Sequence, residues 1–205
     1  MKIASHKFFY CNHWYAEWLL FTGNFNEAIK EISLAVDLDP VSQGILKDKG
    51  IHFYYNRQYD EAIDMGMKTL DLDPTFVPVH RLLSLCYTGK GMFDKAIDEN
   101  QRWGELTHNK VKTDVALAHI YAAAGRVEEV QKIMENIEAE DLGGNDYRGM
   151  ALVYTTLVDN EKAFEWLDKS YKMHEESLCS LKVDHKFDPL RIDPRFNDLV
   201  KKVGL

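Results

Sequence analysis

The chain has 205 residues, of which 45% are hydrophobic and 28% charged, the proportions of an ordinary globular protein and not of a disordered or membrane-spanning one. Its 25 Lys and Arg against 33 Asp and Glu leave a formal charge of −8, which argues against a mainly electrostatic hold on nucleic acid or anionic lipid. Three scattered cysteines, Cys11, Cys86 and Cys179, make no CxxC and read as reduced thiols, with Cys11 and Cys86 expected as small packing residues inside helices.

In chain order, the start Met1-Lys2-Ile3-Ala4-Ser5-His6-Lys7 lacks the apolar stretch and cleavage pattern of a signal peptide, so the expected location is cytoplasmic. No apolar run approaches the roughly 18 residues of a spanning helix. A first helix runs from Lys7, Phe8, Phe9 and Tyr10 and carries Trp14 and Trp18 at i, i+4 spacing. Gly23-Asn24 turns the chain, and Phe25-Asn26-Glu27-Ala28-Ile29 opens a second helix that closes at Asp37-Leu38-Asp39-Pro40.

The same sentence is then repeated. Ile45, Gly50, Phe53 and Tyr54 form one helix face, Asn56-Arg57-Gln58 a turn, and Tyr59-Asp60-Glu61-Ala62-Ile63 the next helix, closing at Asp71-Leu72-Asp73-Pro74. Phe93-Asp94-Lys95-Ala96-Ile97 follows the turn Gly89-Lys90-Gly91. The alanines at 28, 62 and 96 are 34 residues apart. A further step of 34 reaches Val130 after the turn Ala124-Gly125-Arg126, and Ala163 lies one residue short of the next step. Fixed self-similarity of this kind marks a repeat architecture, in which each hairpin buries its apolar face only against its neighbours. The aspartate pairs recur in phase beside proline, so they read as turn chemistry and not as catalytic carboxylates.

On these residues the chain resembles the tetratricopeptide-repeat (TPR) family. That family places a small residue midway along its first helix, a large apolar residue three later, Ala early in the second helix and Pro at its end. Here these positions hold Ala16, Leu19, Ala28 and Pro40; Gly50, Phe53, Ala62 and Pro74; Ser84, Tyr87 and Ala96; Ala118 and Tyr121; Ala151, Tyr154 and Ala163. The resemblance implies an all-α, right-handed superhelical solenoid of about five antiparallel helix pairs, with windows 9–42, 43–76, 77–110, 111–144 and 145–177. Residues 1–8 are a lead-in, and 178–205 a C-terminal capping segment. Thr69, Trp103, Val130, His108 and Leu142 depart from the pattern, and less regular packing is expected around the third and fourth copies.

In the capping segment Asp193 is placed to cap a short helix opening at Pro194 and running through Leu199, Val200 and Val203. Phe187, Leu190, Phe196, Leu199 and Val203 are expected to cover the fifth repeat. The runs Leu181-Lys182-Val183-Asp184, Phe187-Asp188-Pro189-Leu190-Arg191 and Asp193-Pro194-Arg195-Phe196 are similar to the ends of TPR modules on bacterial signalling and transcriptional regulators. That likeness, together with the abrupt opening, implies the C-terminal module of a larger regulator.

Chemistry-bearing motifs are absent. The eight histidines include no HExxH and no pair of histidines one helical turn apart, so no metal site is expected. Neither GxxxxGK[ST], GxGxxG nor GxSxG occurs, and the expectation is a non-enzyme without a cofactor.

The resemblance also implies a binding groove lined by the second, fifth, ninth and twelfth places of each window. From these we take His13 and Glu17; Lys47, Ile51 and Tyr54; Arg81 and Leu85; His119; and Arg148 as the peptide-facing set, with Tyr10 and Asn145 at second places. The fifth places read His13, Lys47, Arg81, Val115 and Arg148, a basic row in an acidic protein that suits a carboxylate-bearing peptide. The same row also reads as long cationic side chains solvating a helical face. The Lys-Asn pairs of chaperone-binding TPR modules are not reproduced, since Glu17 and Ile51 stand where asparagines are wanted. A second expectation is self-association into a homodimer through Trp14, Trp18 and Phe21 on the first helix.

Overall fold

The computed structural model describes the backbone of residues 2–137, 142–143 and 146–205, and side chains from residue 11 onward within them. The lead-in side chains, Tyr10 and Asn145 lie outside the described residues. The described residues form eleven α-helices and two short 3-10 segments, without a strand. They divide into two compact units, 1–90 and 91–205.

The first unit contains α1 (Lys2–Thr22), α2 (Phe25–Leu38), α3 (Gln43–Tyr55), α4 (Tyr59–Leu72) and α5 (Val77–Gly89). The second contains α6 (Phe93–Thr107), α7 (Lys110–Ala123), α8 (Val127–Met134), α9 (Asp146–Thr156), α10 (Asn160–Lys172) and α11 (Pro194–Val203), with the 3-10 segments at Glu176–Ser180 and His185–Leu190. The window 77–110 thus supplies α5 to one unit and α6 to the other.

The turn inside each hairpin has one left-handed residue, and these recur in step: Gly23, Arg57, Gly91, Gly125 and Val158, with φ of 90°, 60°, 70°, 73° and 62°. Four of the five share the same pair of bonds. The Gly23 amide donates to Leu20 and the Asn24 amide to Leu19; Arg57 and Gln58 donate to Tyr54 and Phe53; Gly125 and Arg126 to Ala122 and Tyr121; Val158 and Asp159 to Thr155 and Tyr154. This double bond closes the helix C-terminus by satisfying its last carbonyls, and glycine adopts the required φ without a Cβ clash.

Small residues set how near the helices come. A Cβ on Gly50 would lie 2.6 Å from Leu82 Cδ2 and 3.3 Å from the Ala62 carbonyl, so only glycine lets α3 sit this close to α4 and α5. Ala16, Ile32, Ala35 and Ile45 form one core, and Tyr54, Ala62, Leu82 and Cys86 another. Cys86 packs as expected of it, but Cys11 is exposed, because it shares a helical stripe with solvent-facing Trp14, Tyr15 and Trp18.

In the second unit the departures from the repeat pattern have local answers. His108, standing where proline is usual, ends α6 by turning left-handed at φ 53°, and the Asn109 side chain caps α7 by accepting from the Lys112 amide at 3.0 Å. Trp103 is buried, and α8 is only 8 residues long against 13 for α10. Leu142 is buried with Val115 and Met150. Beyond α10, Leu178, Leu181, Phe187, Leu190, Phe196 and Leu199 share a core with Ala151, Leu152, Ala163 and Leu167, and Val203 packs at its edge. Asp193 accepts from the Arg195 amide at 2.9 Å and starts α11 at Pro194.

Candidate functional site

His13 and Glu17 are one turn apart on α1 and project from the same face. Lys47, Asp48 and His52 do so from α3, and the α1·α3 approach brings the five together. His13 Nε2 is 3.0 Å from Asp48 Oδ2 and 3.9 Å from Glu17 Oε1. Lys47 Nζ pairs with the other Asp48 oxygen, Oδ1. His52, fully buried, has Nδ1 2.8 Å from the Asp48 backbone carbonyl and 3.9 Å from Glu17 Oε1. A carbonyl only accepts, so Nδ1 carries the proton and donates. That leaves Nε2, which has no hydrogen-bond partner.

The electrostatics follow from Asp48. Burial pushes its carboxyl up, but the hydrogen bond from His13 and the charge of Lys47 outweigh this and hold it below the ordinary aspartate range. The same hydrogen bond, with the nearby carboxylates, raises the His13 imidazole against the opposing effect of burial. Glu17 lacks such a partner, and burial raises it. One carboxylate therefore fixes two basic side chains, each with about a fifth of its side-chain surface open, at 19% for His13 and 21% for Lys47. His13 Nε2 and one oxygen each from Glu17 and Asp48 lie within 4.8 Å of one another, the donor set that a metal ion would need.

The other groove residues expected from the sequence are distributed differently. Ile51 is half-buried against Leu19, Leu20 and Ala28, and Tyr54 is buried in the core with Ala62, Leu82 and Cys86. Arg81 and Leu85 are half-buried on α5. In the second unit His119 is buried on α7. Arg148 on α9 turns to the capping segment, where its guanidinium pairs with fully buried Asp184, donates to Ser180 Oγ at 3.1 Å and lies 5.2 Å over the Phe187 ring. Glu175 accepts from the Tyr147 and Arg148 amides, each at 3.0 Å, so that a carboxylate from 28 residues downstream caps α9.

On α1, Trp14 and Trp18 are 67% and 58% exposed, and the Tyr15 ring, also exposed, stacks on Trp18 with centroids 5.9 Å apart. Phe21 is not part of this stripe; it is half-buried beside Leu19, Leu20 and Ala28. Sequence reasoning missed Asp48, His52, Glu175 and Asp184, because what each does depends on a side chain at least 27 residues away or on burial, and neither leaves a mark in local spacing.

No family model matches the chain. The human Protein O-mannosyl-transferase TMTC1 is 24% identical over 116 residues, which make up 56% of this chain and 12% of that protein, so the chain spans about an eighth of its length. A tetratricopeptide repeat protein from Parabacteroides merdae superposes with a TM-score of 0.62 at 14% identity, over 95% of this chain and 84% of that one. YrrB, described as a TPR protein with an unusual peptide-binding site, gives a TM-score of 0.50 at 20% identity, over 83% of this chain and 89% of its own. At such identities the likeness shows the fold: antiparallel helix pairs of the TPR-like helical-repeat class. No helix among the described residues is long and apolar enough to cross a membrane.

Proposed function

We propose that the chain is a non-enzymatic protein-interaction scaffold that receives an extended, carboxylate-bearing peptide segment or partner domain on the first-helix faces of its repeats. In this reading it is the C-terminal module of a larger signalling or transcription regulator. The observation that carries it is the pair of partly exposed basic side chains, His13 and Lys47, positioned by one carboxylate, Asp48. Basic side chains held in place before binding give oriented hydrogen bonds, charge-assisted at Lys47, at little ordering cost. Ile51 beside them, with Arg81 and Leu85 on α5, extends the surface with apolar contact and further charge. The fold shared with YrrB, described as having a peptide-binding site, supports the same reading.

The test is an array of peptides with acidic, free C-termini and their amidated counterparts, probed with the wild-type chain and with the double reversal Lys47→Glu, Arg81→Glu. The expected result is selective loss of the acidic peptides by the variant, with unchanged far-UV circular dichroism. Equal retention by both proteins would overturn the reading.

The exposed stripe of Trp14, Tyr15 and Trp18 favours a second reading, self-association through α1. Sedimentation velocity at two concentrations a hundredfold apart separates the two. A dimer that dissociates in Trp14→Ala, Trp18→Ala supports the second reading, and a concentration-independent monomer removes it.

A further inference from the structure

We infer that His13, Glu17 and Asp48 form a binding site for a divalent transition-metal ion of the zinc class, built between α1 and α3. His13 and Glu17 supply a nitrogen and an oxygen from successive turns of one helix, the way helices commonly present two ligands to one ion. Asp48 Oδ2 completes the set from α3, while Lys47 holds Oδ1 and so orients the carboxylate without blocking the coordinating oxygen.

The dimensions fit. Metal–ligand bonds of about 2.0–2.2 Å put donor atoms in a tetrahedral shell about 3.3–3.6 Å apart. The distances are 3.0 Å for His13–Asp48 and 3.9 Å for His13–Glu17, and no pair exceeds 4.8 Å. Rotamer adjustments at the ends of Glu17 and Asp48 close the difference. One imidazole and two carboxylates suit a borderline ion such as zinc, cobalt or manganese, whereas calcium takes about six to eight oxygens. The site is partly open, with side-chain exposures of 19%, 21% and 18%, which leaves a coordination position to solvent or to a ligand carboxylate.

His52 backs the site: fully buried, it donates from Nδ1 to the Asp48 backbone carbonyl at 2.8 Å and lies 3.9 Å from Glu17 Oε1, behind the three ligands. Coordination takes His13 as the neutral imidazole, the ion replacing the proton between Nε2 and Asp48, so a loaded site presents the charge of the ion where the peptide reading uses His13 as a donor.

Chelator-treated full-length chain titrated with zinc chloride in a calorimeter, and with cobalt chloride by visible absorption, tests it. The expected result is a one-to-one step, with cobalt showing ligand-field bands of a mixed nitrogen and oxygen shell. His13→Gln, Glu17→Gln and Asp48→Asn should each weaken that step by more than about tenfold, while His119→Gln leaves it in place. The Glu17→Gln and Asp48→Asn replacements conserve shape, so circular dichroism separates loss of ligand from loss of fold. Absence of a step up to about 1 mM zinc, or a step that survives the combined Glu17→Gln, Asp48→Asn variant, overturns the assignment.

Discussion

Removing the Asp184 carboxylate is the sharpest test of how the capping segment is held. Its side chain is fully buried, pairs with Arg148, accepts from the Lys186 amide at 3.1 Å and lies 3.4 Å from Lys186 Nζ. The Arg148 and Lys186 side chains are themselves only 11% and 13% exposed. Asp184→Ala therefore leaves two cations in a poorly solvated place with their shared counter-ion gone, a change that costs about 3–5 kcal/mol. For a chain of this length that is a fall of about 6–20 °C in Tm. Urea denaturation followed by circular dichroism measures the cost, and the Trp166 environment near the same core gives a second probe. Replacing Arg148 and Asp184 together by Met and Leu should recover only the part of the loss due to Arg148, because Lys186 and its amide still lose Asp184. The pH dependence has a defined sign. Burial pushes the Asp184 carboxyl up, but Lys186 and Arg148 outweigh this and hold it far below its unfolded value. Its contribution is thus fully present above about pH 4 and is lost as pH falls through the folded value. Asp184→Asn should flatten that acid limb. A loss below about 1 kcal/mol in Asp184→Ala would refute the claim that the buried pair anchors the segment.

Two further outcomes are expected. Val158 is a β-branched residue in the left-handed position that Gly23, Gly91 and Gly125 fill elsewhere, and it is 77% exposed, so Val158→Gly removes backbone strain with little packing loss. It should gain about 1 kcal/mol, read as a rise of about 2–4 °C in a thermal melt; a lower Tm would count against the strain. Glu175→Ala strips acceptors from the Tyr147 and Arg148 amides and from the Ser170 hydroxyl, 2.5 Å from Glu175 Oε2. It should cost about 1–3 kcal/mol and speed hydrogen exchange at the two amides; unchanged exchange there would show that α9 is capped some other way.

The 34-residue period read along the chain carries through to the backbone. Left-handed turn residues recur at Gly23, Arg57, Gly91 and Gly125, and the missing residue before Val158 is the same one-residue shortfall seen at Ala163. Helix pairs, the Asp193 cap and the apolar members of the C-terminal core were legible because they rest on local rules: 3.6-residue periodicity, turn φ and capping side chains within a few residues. The expected groove was legible only as a set of positions. His13, Glu17 and Lys47 do meet, but Arg148, spaced like them, faces Asp184, and Tyr54 goes into the core.

The amino-acid order by itself determined where helices start, stop and pair with the next, since each of those choices is made within one or two turns. Which charges meet was decided only by tertiary structure. An ion pair such as His13–Asp48 or Arg148–Asp184 joins residues 35 or 36 apart, and its existence depends on the rotation and separation of two helices. Those are set by the summed packing of side chains such as Gly50 against Leu82, so no single local signal encodes them.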